Sequence, residues 1–404
     1  MKKALILIIV IICFSCKKEQ PKTLNIGTWL GELKVNNEET LPFNFEVTSA
    51  NSLKIFNADE VIAVNDIIYK NDSVIIKMPA FDSHYFLAKL DNGSLEGVFF
   101  EANRDVSVPF KATFGVESRF KIEKEATHTI SGRWETVFSK GDIDKEHVAL
   151  GIFEQEGNMV TGTFRTDSGD YRFLQGVLNG DQLKLSAFDG SHMYYFTATV
   201  TDSTMIGMRY SGNYFNELFI AKRNDVYELP DPETLTLLKD GYDSLEFSFP
   251  DTSDQMVSLS DEQFKDKVVI VQLMGSWCPN CLDETKYYSD YYKTHQDKAI
   301  AFVALAFEYA KTKEKAFQSM ERLKNAVGIE YPLLLAQFGS VNKDEAQKKL
   351  PMLNRVVSYP TTIIIDKKGK VRKIHTGFNG PATGDKYITF KEEFESFVDM
   401  LLKE

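Results

Sequence analysis

Two cysteines separated by two residues, Cys278 and Cys281, follow soon after a nearly continuous apolar run at residues 268–274. A run of this length between polar or glycine flanks is typical of a buried parallel strand. The pattern therefore predicts a strand, a turn and a helix whose start carries both cysteines. A thiol there faces unpaired N–H groups and the positive end of the helix dipole, which favour the thiolate. We expect Cys278 to be the nucleophile and Cys281 the resolving thiol.

The first residues have the pattern of an export signal. Two lysines precede an apolar run at residues 4–14, which is too short to span a bilayer and has the length of a signal-peptide core. We predict a signal peptide at residues 1–15. Cys16 follows it in a sequence that resembles the lipidation box of bacterial lipoproteins, which would make residues 16–24 a lipidated tether. Ordinary secretory cleavage beside an unmodified Cys16 is the alternative.

The cysteine count leaves one pair for chemistry. The chain has four cysteines, of which Cys13 would be lost with the signal peptide and Cys16 would carry lipid. A mature exported chain with one close pair has no structural disulfide framework, so we expect the pair to be redox-active without any other cofactor. The formal net charge of −11, without a clustered basic face, argues against a nucleic-acid partner.

Residues 25–224 consist of short alternating segments separated by turn signals, which is typical of small antiparallel barrels or sandwiches. This region also repeats itself, since the Gly-x-Trp at residues 27–29 recurs at residues 132–134. Repeats of this kind indicate homologous structural units. We therefore predict two all-β units, at residues 25–120 and 128–224.

Each unit begins with a tryptophan whose role can be predicted. A Gly-x-Trp on the first strand and a basic residue at the end of the last, Arg223, resemble the calycin barrels of lipocalin type. We expect Trp29 and Trp134 to fill the core, because large aromatic side chains serve packing more often than ligand contact. His84 and His192 fall at equivalent repeat positions, but no metal-ligand spacing accompanies them, and we predict no metal site.

The pattern changes after the second unit. Prolines around a short leucine-rich piece at residues 225–243 predict a linker with at most a brief helix. Over residues 244–404 apolar runs alternate with helical patterns, including a predicted helix at 343–353 and a predicted strand at 361–365. This alternation is typical of an α/β sheet. The predicted fold is therefore multi-domain, with two all-β units followed by an α/β domain.

The C-terminal part of the chain resembles the TlpA/ResA-like branch of the thioredoxin superfamily, whose members are envelope thiol–disulfide oxidoreductases. The resemblance rests on motifs in matching order and spacing: Phe249-Pro250-Asp251, Val257-Ser258-Leu259-Ser260, Lys267-Val268-Val269-Ile270-Val271, Trp277-Cys278-Pro279-Asn280-Cys281 and Tyr359-Pro360-Thr361-Thr362. A lone Cys-x-x-Cys is also half of a zinc site, but the mature chain would hold no second pair. The resemblance implies a thioredoxin-like domain at 244–404 with a redox-active disulfide.

The resemblance also implies a substrate-binding surface around the cysteines. Pro360 is expected to follow a cis peptide bond and to lie beside the sulfurs, where the backbone before it can pair with an extended substrate. Tyr359, Trp277 and Pro279 are expected to line the same surface. A trans proline that merely breaks a helix is the alternative for Pro360.

Proton transfer is the remaining expectation from the resemblance. Thioredoxin has a buried Asp six residues before its first active-site cysteine, where this chain has Gln272, which does not titrate. Glu308 follows the next apolar strand, and we expect it to accept the proton of Cys281 during exchange. A solvated glutamate at a strand end is the alternative.

Together these features predict a lipid-anchored reductase of protein disulfides in the bacterial envelope, facing the periplasm or exported to the surface. It would receive electrons from a membrane or envelope thiol donor. The direction of electron flow is open, because the Pro-Asn between the cysteines does not fix the potential. A thiol peroxidase is disfavoured by the absence of the peroxiredoxin motif, in whose place Val271 and Gly275 stand. A lipoprotein that binds glycan, lipid or peptide through its β units is the other alternative.

Overall fold

The computed structural model describes residues 22–81, 84–101 and 106–404. The predicted signal peptide and Cys16 lie outside these residues. Within them, no helix is long and apolar enough to cross a membrane. The described chain forms two all-β units followed by an α/β domain, which confirms the predicted fold class.

The first β unit is an antiparallel sheet of nine strands. Chain neighbours pair, except the fourth and fifth strands, which form the two edges, and the last strand pairs with the first. The sheet order is β4-β3-β2-β1-β9-β8-β7-β6-β5. The strands are β1 (Gly27–Lys34), β2 (Thr40–Ser49), β3 (Ser52–Asn57), β4 (Glu60–Val64), β5 (Asp66–Lys70), β6 (Ser73–Lys77), β7 (His84–Asp91), β8 (Ser94–Glu101) and β9 (Val106–Phe114). Buried and exposed residues alternate along β7, as expected where one face of a sheet covers a core.

The second β unit repeats this meander and closes on itself. The sheet order is β11-β10-β18-β17-β16-β15-β14-β12-β13, and an additional pairing of β11 with β12 completes a barrel. The strands are β10 (Gly132–Phe138), β11 (His147–Glu156), β12 (Met159–Thr166), β13 (Gly169–Asp170), β14 (Leu174–Asn179), β15 (Gln182–Phe188), β16 (Met193–Val200), β17 (Thr204–Ser211) and β18 (Phe215–Arg223).

The two tryptophans occupy equivalent places and are fully buried, which confirms their predicted packing role. The indole N–H of Trp29 donates to the Asn25 carbonyl at 2.9 Å, and that of Trp134 donates to the Ile130 carbonyl at 2.8 Å. In both cases the acceptor lies four residues earlier in the chain. The guanidinium of Arg223 lies 4.5 Å from the centre of the Trp134 ring, a cation–π contact between the first and last strands of the barrel.

The α/β domain is built on a mixed sheet of order β23-β22-β21-β24-β25. A short hairpin precedes it, formed by β19 (Ser248–Pro250) and β20 (Met256–Ser258). The elements of the sheet and its helices are β21 (Val268–Met274), α1 (Pro279–Thr294), β22 (Ile300–Glu308), α2 (Lys313–Val327), β23 (Leu333–Phe338), α3 (Lys343–Lys349), β24 (Thr361–Ile365), β25 (Val371–Thr376) and α4 (Asp385–Lys403). Every residue of the parallel strands β21 and β22 is buried, because helices cover both faces of the sheet.

Helix α3 is shorter than predicted. It ends at Lys349 rather than at residue 353, and Leu350 already has non-helical angles of φ −128° and ψ 69°. The next residue is Pro351, which disfavours helical geometry at the residue before it and has no N–H to continue the helix.

The linker packs against the α/β domain. It contains one short 3₁₀ turn at Pro232–Thr234, as the proline pattern predicted. Thr236 beyond this turn is fully buried, and Leu238 forms a β bridge with Leu353. The linker therefore holds the second β unit close to the α/β domain.

The three units share hydrophobic cores. Phe188 and Tyr195 of the second β unit belong to the core of the first. Ala80 and Phe81 of the first unit belong to the core of the α/β domain. Side chains buried across these boundaries oppose separation of the units.

Candidate active site

The structure places Cys278 and Cys281 at the start of α1, immediately after the buried strand β21 and a short turn. Cys278 is the N-cap, and its sulfur accepts a hydrogen bond from the Cys281 N–H at 3.2 Å. Pro279 fits the first helical position, where an N–H would have no partner. The two cysteines form a disulfide. Cys278 is 6% exposed and Cys281 is 0% exposed, so Cys278 is the sulfur that a substrate can reach first.

The segment before β24 lies directly beside this disulfide. The Tyr359–Pro360 peptide bond is cis, as the resemblance implied. The carbonyl oxygen of Tyr359 lies 3.6 Å from the sulfur of Cys278. The structure thus brings together two predicted site segments that are separated by 81 residues in sequence.

Trp277 forms the aromatic flank of the site. Its indole N–H donates to the Phe307 carbonyl at 2.9 Å, which fixes the ring beside the cysteines. The ring centre lies 4.7 Å from that of Tyr309 and 6.1 Å from that of Tyr359. Trp277 is half-buried, so part of this aromatic surface faces outward next to Cys278.

Glu308 is the last residue of β22 and is buried, at 2% exposure. The alternative of a solvated glutamate is therefore wrong. Its two carboxylate oxygens accept hydrogen bonds from the Ser276 N–H at 2.8 Å and the Ser276 hydroxyl at 2.7 Å. Ser276 belongs to the turn that leads into Cys278, so Glu308 holds the shape of this turn. Its predicted role as proton acceptor for Cys281 stays a prediction.

A second buried carboxyl, Glu284, was missed in the sequence and lies one helical turn beyond Cys281. It is 0% exposed. The side-chain amide of Gln272 donates to Glu284 at 2.7 Å and also approaches the Cys281 carbonyl at 3.5 Å. Hydroxyl groups of Thr362 and Tyr288 donate to the other carboxyl oxygen at 2.9 and 3.3 Å. Gln272 of β21, at the position of the thioredoxin Asp, thus positions the carboxyl of Glu284, which lies on α1.

Burial raises the pKa of Glu284 from its ordinary 4.5 to about 7. The hydrogen bonds from Gln272, Thr362 and Tyr288 act in the opposite direction but do not outweigh the loss of hydration. A carboxyl with this pKa can both accept and release a proton near neutral pH. The available sequence signal was its spacing, because residues three apart on a helix share a face.

His84 and His192 are the two histidines at equivalent repeat positions. His84 is buried, and His192 lies 3.4 Å from the carboxylate of Asp189. In the three described ranges, no group of three His, Cys, Asp or Glu side chains is arranged to hold a metal ion.

The fold and the site define a class of protein. A mixed sheet, a Cys-x-x-Cys at the start of the helix after its central strand, and a cis proline beside the sulfurs together form a thioredoxin-type redox domain.

The matching family model and the sequence relatives agree with this class. The Redoxin family model matches residues 239–388. The thioredoxin-like protein YneN of Bacillus subtilis is 30% identical over 140 residues, which cover 35% of this chain and 73% of YneN. The thiol–disulfide oxidoreductase ResA of Bacillus subtilis is 26% identical over 140 residues, which cover 35% of this chain and 69% of ResA. A solved structure of a putative thiol:disulfide interchange protein DsbE from Chlorobium tepidum aligns with 18% identity and a TM-score of 0.31, over 40% of this chain and 99% of that one.

The chain belongs to the Redoxin family, through its C-terminal domain, and is a thiol–disulfide oxidoreductase of the thioredoxin type. This confirms the family that the sequence motifs resembled. The matched region starts after the second β unit, so the two β units lie outside it.

Proposed function

We propose that this protein reduces disulfides of protein substrates in the bacterial envelope, through a dithiol formed by Cys278 and Cys281. The observation that carries the proposal is the Cys278–Cys281 disulfide at the start of α1, with the carboxyl of Glu284 behind it in the same helix. Trp277 and the cis Tyr359–Pro360 segment flank Cys278 and supply the substrate surface. Pro279, at the first position of α1, completes it.

The exchange takes two steps. The Cys278 thiolate attacks one sulfur of the substrate disulfide, that bond breaks, and the other substrate sulfur leaves as a thiolate and takes up a proton. Cys281 then gives up its proton and attacks the sulfur of Cys278 in the mixed disulfide. The second substrate sulfur leaves, and the Cys278–Cys281 bond forms. Two electrons have passed to the substrate, and an external thiol donor restores the dithiol.

Glu284 is the group that we assign to the proton of Cys281. It is buried one turn further along the same helix, and Gln272 contacts both residues. Its pKa of about 7 suits a general base near neutral pH. Glu308, the acceptor expected from the resemblance, is held by two hydrogen bonds from Ser276, so in this proposal it positions the turn before Cys278.

The envelope location rests on the predicted signal peptide and on lipidation at Cys16. An exported, lipid-anchored chain would need a membrane or envelope thiol donor, since cytosolic thiol donors do not reach it. Direct evidence for this part would come from metabolic labelling with a palmitate analogue. Label that depends on Cys16 would support the anchor, whereas secretion of an unlabelled chain would refute it.

The alternative of a ligand-binding lipoprotein has less support. The interior of the second barrel is filled by side chains with 0% exposure, among them Trp134, Phe138, Phe164, Phe196 and Phe219. In the first unit, the space among the core phenylalanines amounts to about 10 Å³. Among the described residues of the two units, neither interior has room for a glycan or lipid, so we assign the β units to the placement of the redox domain and its surroundings.

The test is to trap the mixed disulfide. With Cys281→Ala, the second step cannot occur, and the full chain should accumulate mixed disulfides with specific envelope proteins through Cys278. The matched control is Cys278→Ala, which should trap none because Cys281 is fully buried. An empty trap in the first variant would refute the reductase proposal, as would equal trapping by both variants.

A further inference from the structure

The hairpin of β12 and β13 in the second β unit packs against the segments that flank the disulfide. Its turn consists of Asp167 and Ser168, because Thr166 pairs with Gly169 across it. The carbonyl oxygen of Ser168 lies 3.3 Å from the hydroxyl of Ser358, two residues before Pro360. The hairpin therefore lies against the segment beside the cis proline, where a thioredoxin-type enzyme would bind an extended substrate.

Asp170 links the same hairpin to two further segments around the disulfide. Its backbone carbonyl accepts a hydrogen bond from the side chain of Asn280, between the two cysteines, at 3.2 Å. Its carboxylate accepts one from the N–H of Gly380 at 2.7 Å. Nearby, the guanidinium of Arg165 donates to the side chain of Asn379 at 2.9 Å. The hairpin thus contacts the Cys-x-x-Cys turn, the proline segment and the loop after β25.

No gap remains between the hairpin and the redox domain, so a substrate has to approach Cys278 from another side. A Cβ atom at Gly169 would lie 2.0 Å from the side-chain nitrogen of Asn280. A Cβ atom at Gly377 would lie 2.5 Å from the carbonyl oxygen of Asp167. Both distances are far below van der Waals contact. At Gly377 the obstructing atom belongs to the backbone of the hairpin, so a larger residue there would push the two backbones apart.

A buried ion cluster fixes the base of the hairpin. Arg172, two residues beyond β13, pairs with Asp283 of α1, with Glu60 of the first β unit and, at 3.5 Å, with Asp189. The four side chains are 2–12% exposed. Breaking this cluster would leave buried charges without a partner, and an unpaired buried charge is strongly destabilising. The hairpin is therefore held in place by all three structural units.

We propose that the β12–β13 hairpin is a specificity-determining wall of the redox site, which admits disulfides carried by small or extended molecules and excludes disulfides flanked by folded structure. The inference rests on the proposed disulfide exchange and adds the substrate class to it. With the hairpin on one side, a substrate reaches Cys278 past the half-buried ring of Trp277. An extended segment is narrow enough for this approach, whereas a folded domain around the disulfide would collide with the second β unit.

The accessibility of the Cys278 thiol to alkylating reagents tests the wall without depending on catalysis. In the full chain with Cys13, Cys16 and Cys281 replaced by serine, Cys278 is the remaining thiol. N-ethylmaleimide should modify it readily. A maleimide attached to a folded protein should react at least about tenfold more slowly, relative to both reagents on an unfolded cysteine peptide, because the folded carrier collides with the second β unit unless the hydrogen-bonded hairpin opens. Equal relative rates for the two reagents would overturn the inference.

Substrate selection tests the wall in the exchange reaction. The wild type should reduce oxidised glutathione much faster than the disulfides of folded insulin. The double variant R165A/D170A loosens the hairpin and should raise insulin reduction by about tenfold, as expected when its two side-chain hydrogen bonds to Asn379 and Gly380 of the redox domain are lost, each of ordinary net strength. Its rate with oxidised glutathione should stay within about twofold, since no group that handles protons or sulfur is changed.

The matched control is D181A, on the turn before β15, whose carboxylate contacts Gln182 within its own unit. It should leave both rates unchanged. An unchanged insulin rate in folded R165A/D170A, or wild-type insulin reduction as fast as that of glutathione, would overturn the wall. If the wild type reduces neither disulfide, the proposed function fails, and the alkylation rates still decide whether the hairpin covers Cys278.

Discussion

The buried carboxyl of Glu284 makes a quantitative prediction about stability. A pKa raised from 4.5 to about 7 corresponds to about 3 kcal/mol, since each pKa unit is worth roughly 1 kcal/mol or slightly more. Below pH 4.5 the carboxyl is protonated in both the folded and the unfolded chain, so there is no cost of burying an ionised carboxylate. As the pH rises to 7, the unfolded chain loses this proton before the folded one does, so the free energy of unfolding falls.

The substitution Glu284→Gln removes the titratable group and keeps the shape of the side chain, with one acceptor and one donor group as in the protonated carboxyl. We expect the variant to gain about 3 kcal/mol of stability relative to the wild type between pH 4.5 and pH 8. Denaturant unfolding of both oxidised proteins across this pH range measures the difference between their free energies of unfolding. The titration of other groups is the same in both proteins and cancels in this difference. Parallel stability curves for the two proteins would refute the buried, raised-pKa carboxyl. The same variant should slow resolution of the mixed disulfide, because Cys281 loses its proton acceptor.

Two further substitutions test the packing around the site. Arg172→Met removes the cation shared by the buried carboxylates of Asp283, Glu60 and Asp189 and should lower the free energy of unfolding by about 3–5 kcal/mol, measured by denaturant unfolding; a loss below about 1 kcal/mol would mean that the cluster is hydrated in solution. Trp134→Phe removes the hydrogen bond to the Ile130 carbonyl and should cost about 1–3 kcal/mol, with exchange activity unchanged. An inactive but stable Trp134→Phe would contradict a purely structural role.

The redox motif was predictable because its signals are local. An apolar run, a turn and a Cys-x-x-Cys stand next to each other in sequence, and each follows from strand burial or helix geometry. The Gly-x-Trp repeat was equally visible, and the structure gives both tryptophans the same hydrogen bond to a carbonyl four residues earlier. The end of α3 was misplaced although Pro351 marked it, because the amphipathic pattern continues past the proline.

The surroundings of the sulfurs were not predictable in the same way. Glu284 has the sequence context of an exposed helix residue, and only the packing of α1 against β21 and β24 buries it beside Gln272 and Thr362. Its pKa follows from that burial, which no single stretch of sequence encodes.

The sequence by itself determined the chemistry: one cysteine pair at the start of a helix, in a thioredoxin-type domain behind two all-β units. Only the tertiary structure decided what surrounds that pair. Asp170 contacts Asn280, which lies 110 residues away in sequence, and Arg172 contacts Asp283, which lies 111 residues away. Contacts at such separations depend on how whole units pack, because the burial of apolar surface that drives packing is non-directional and leaves no local pattern in the chain.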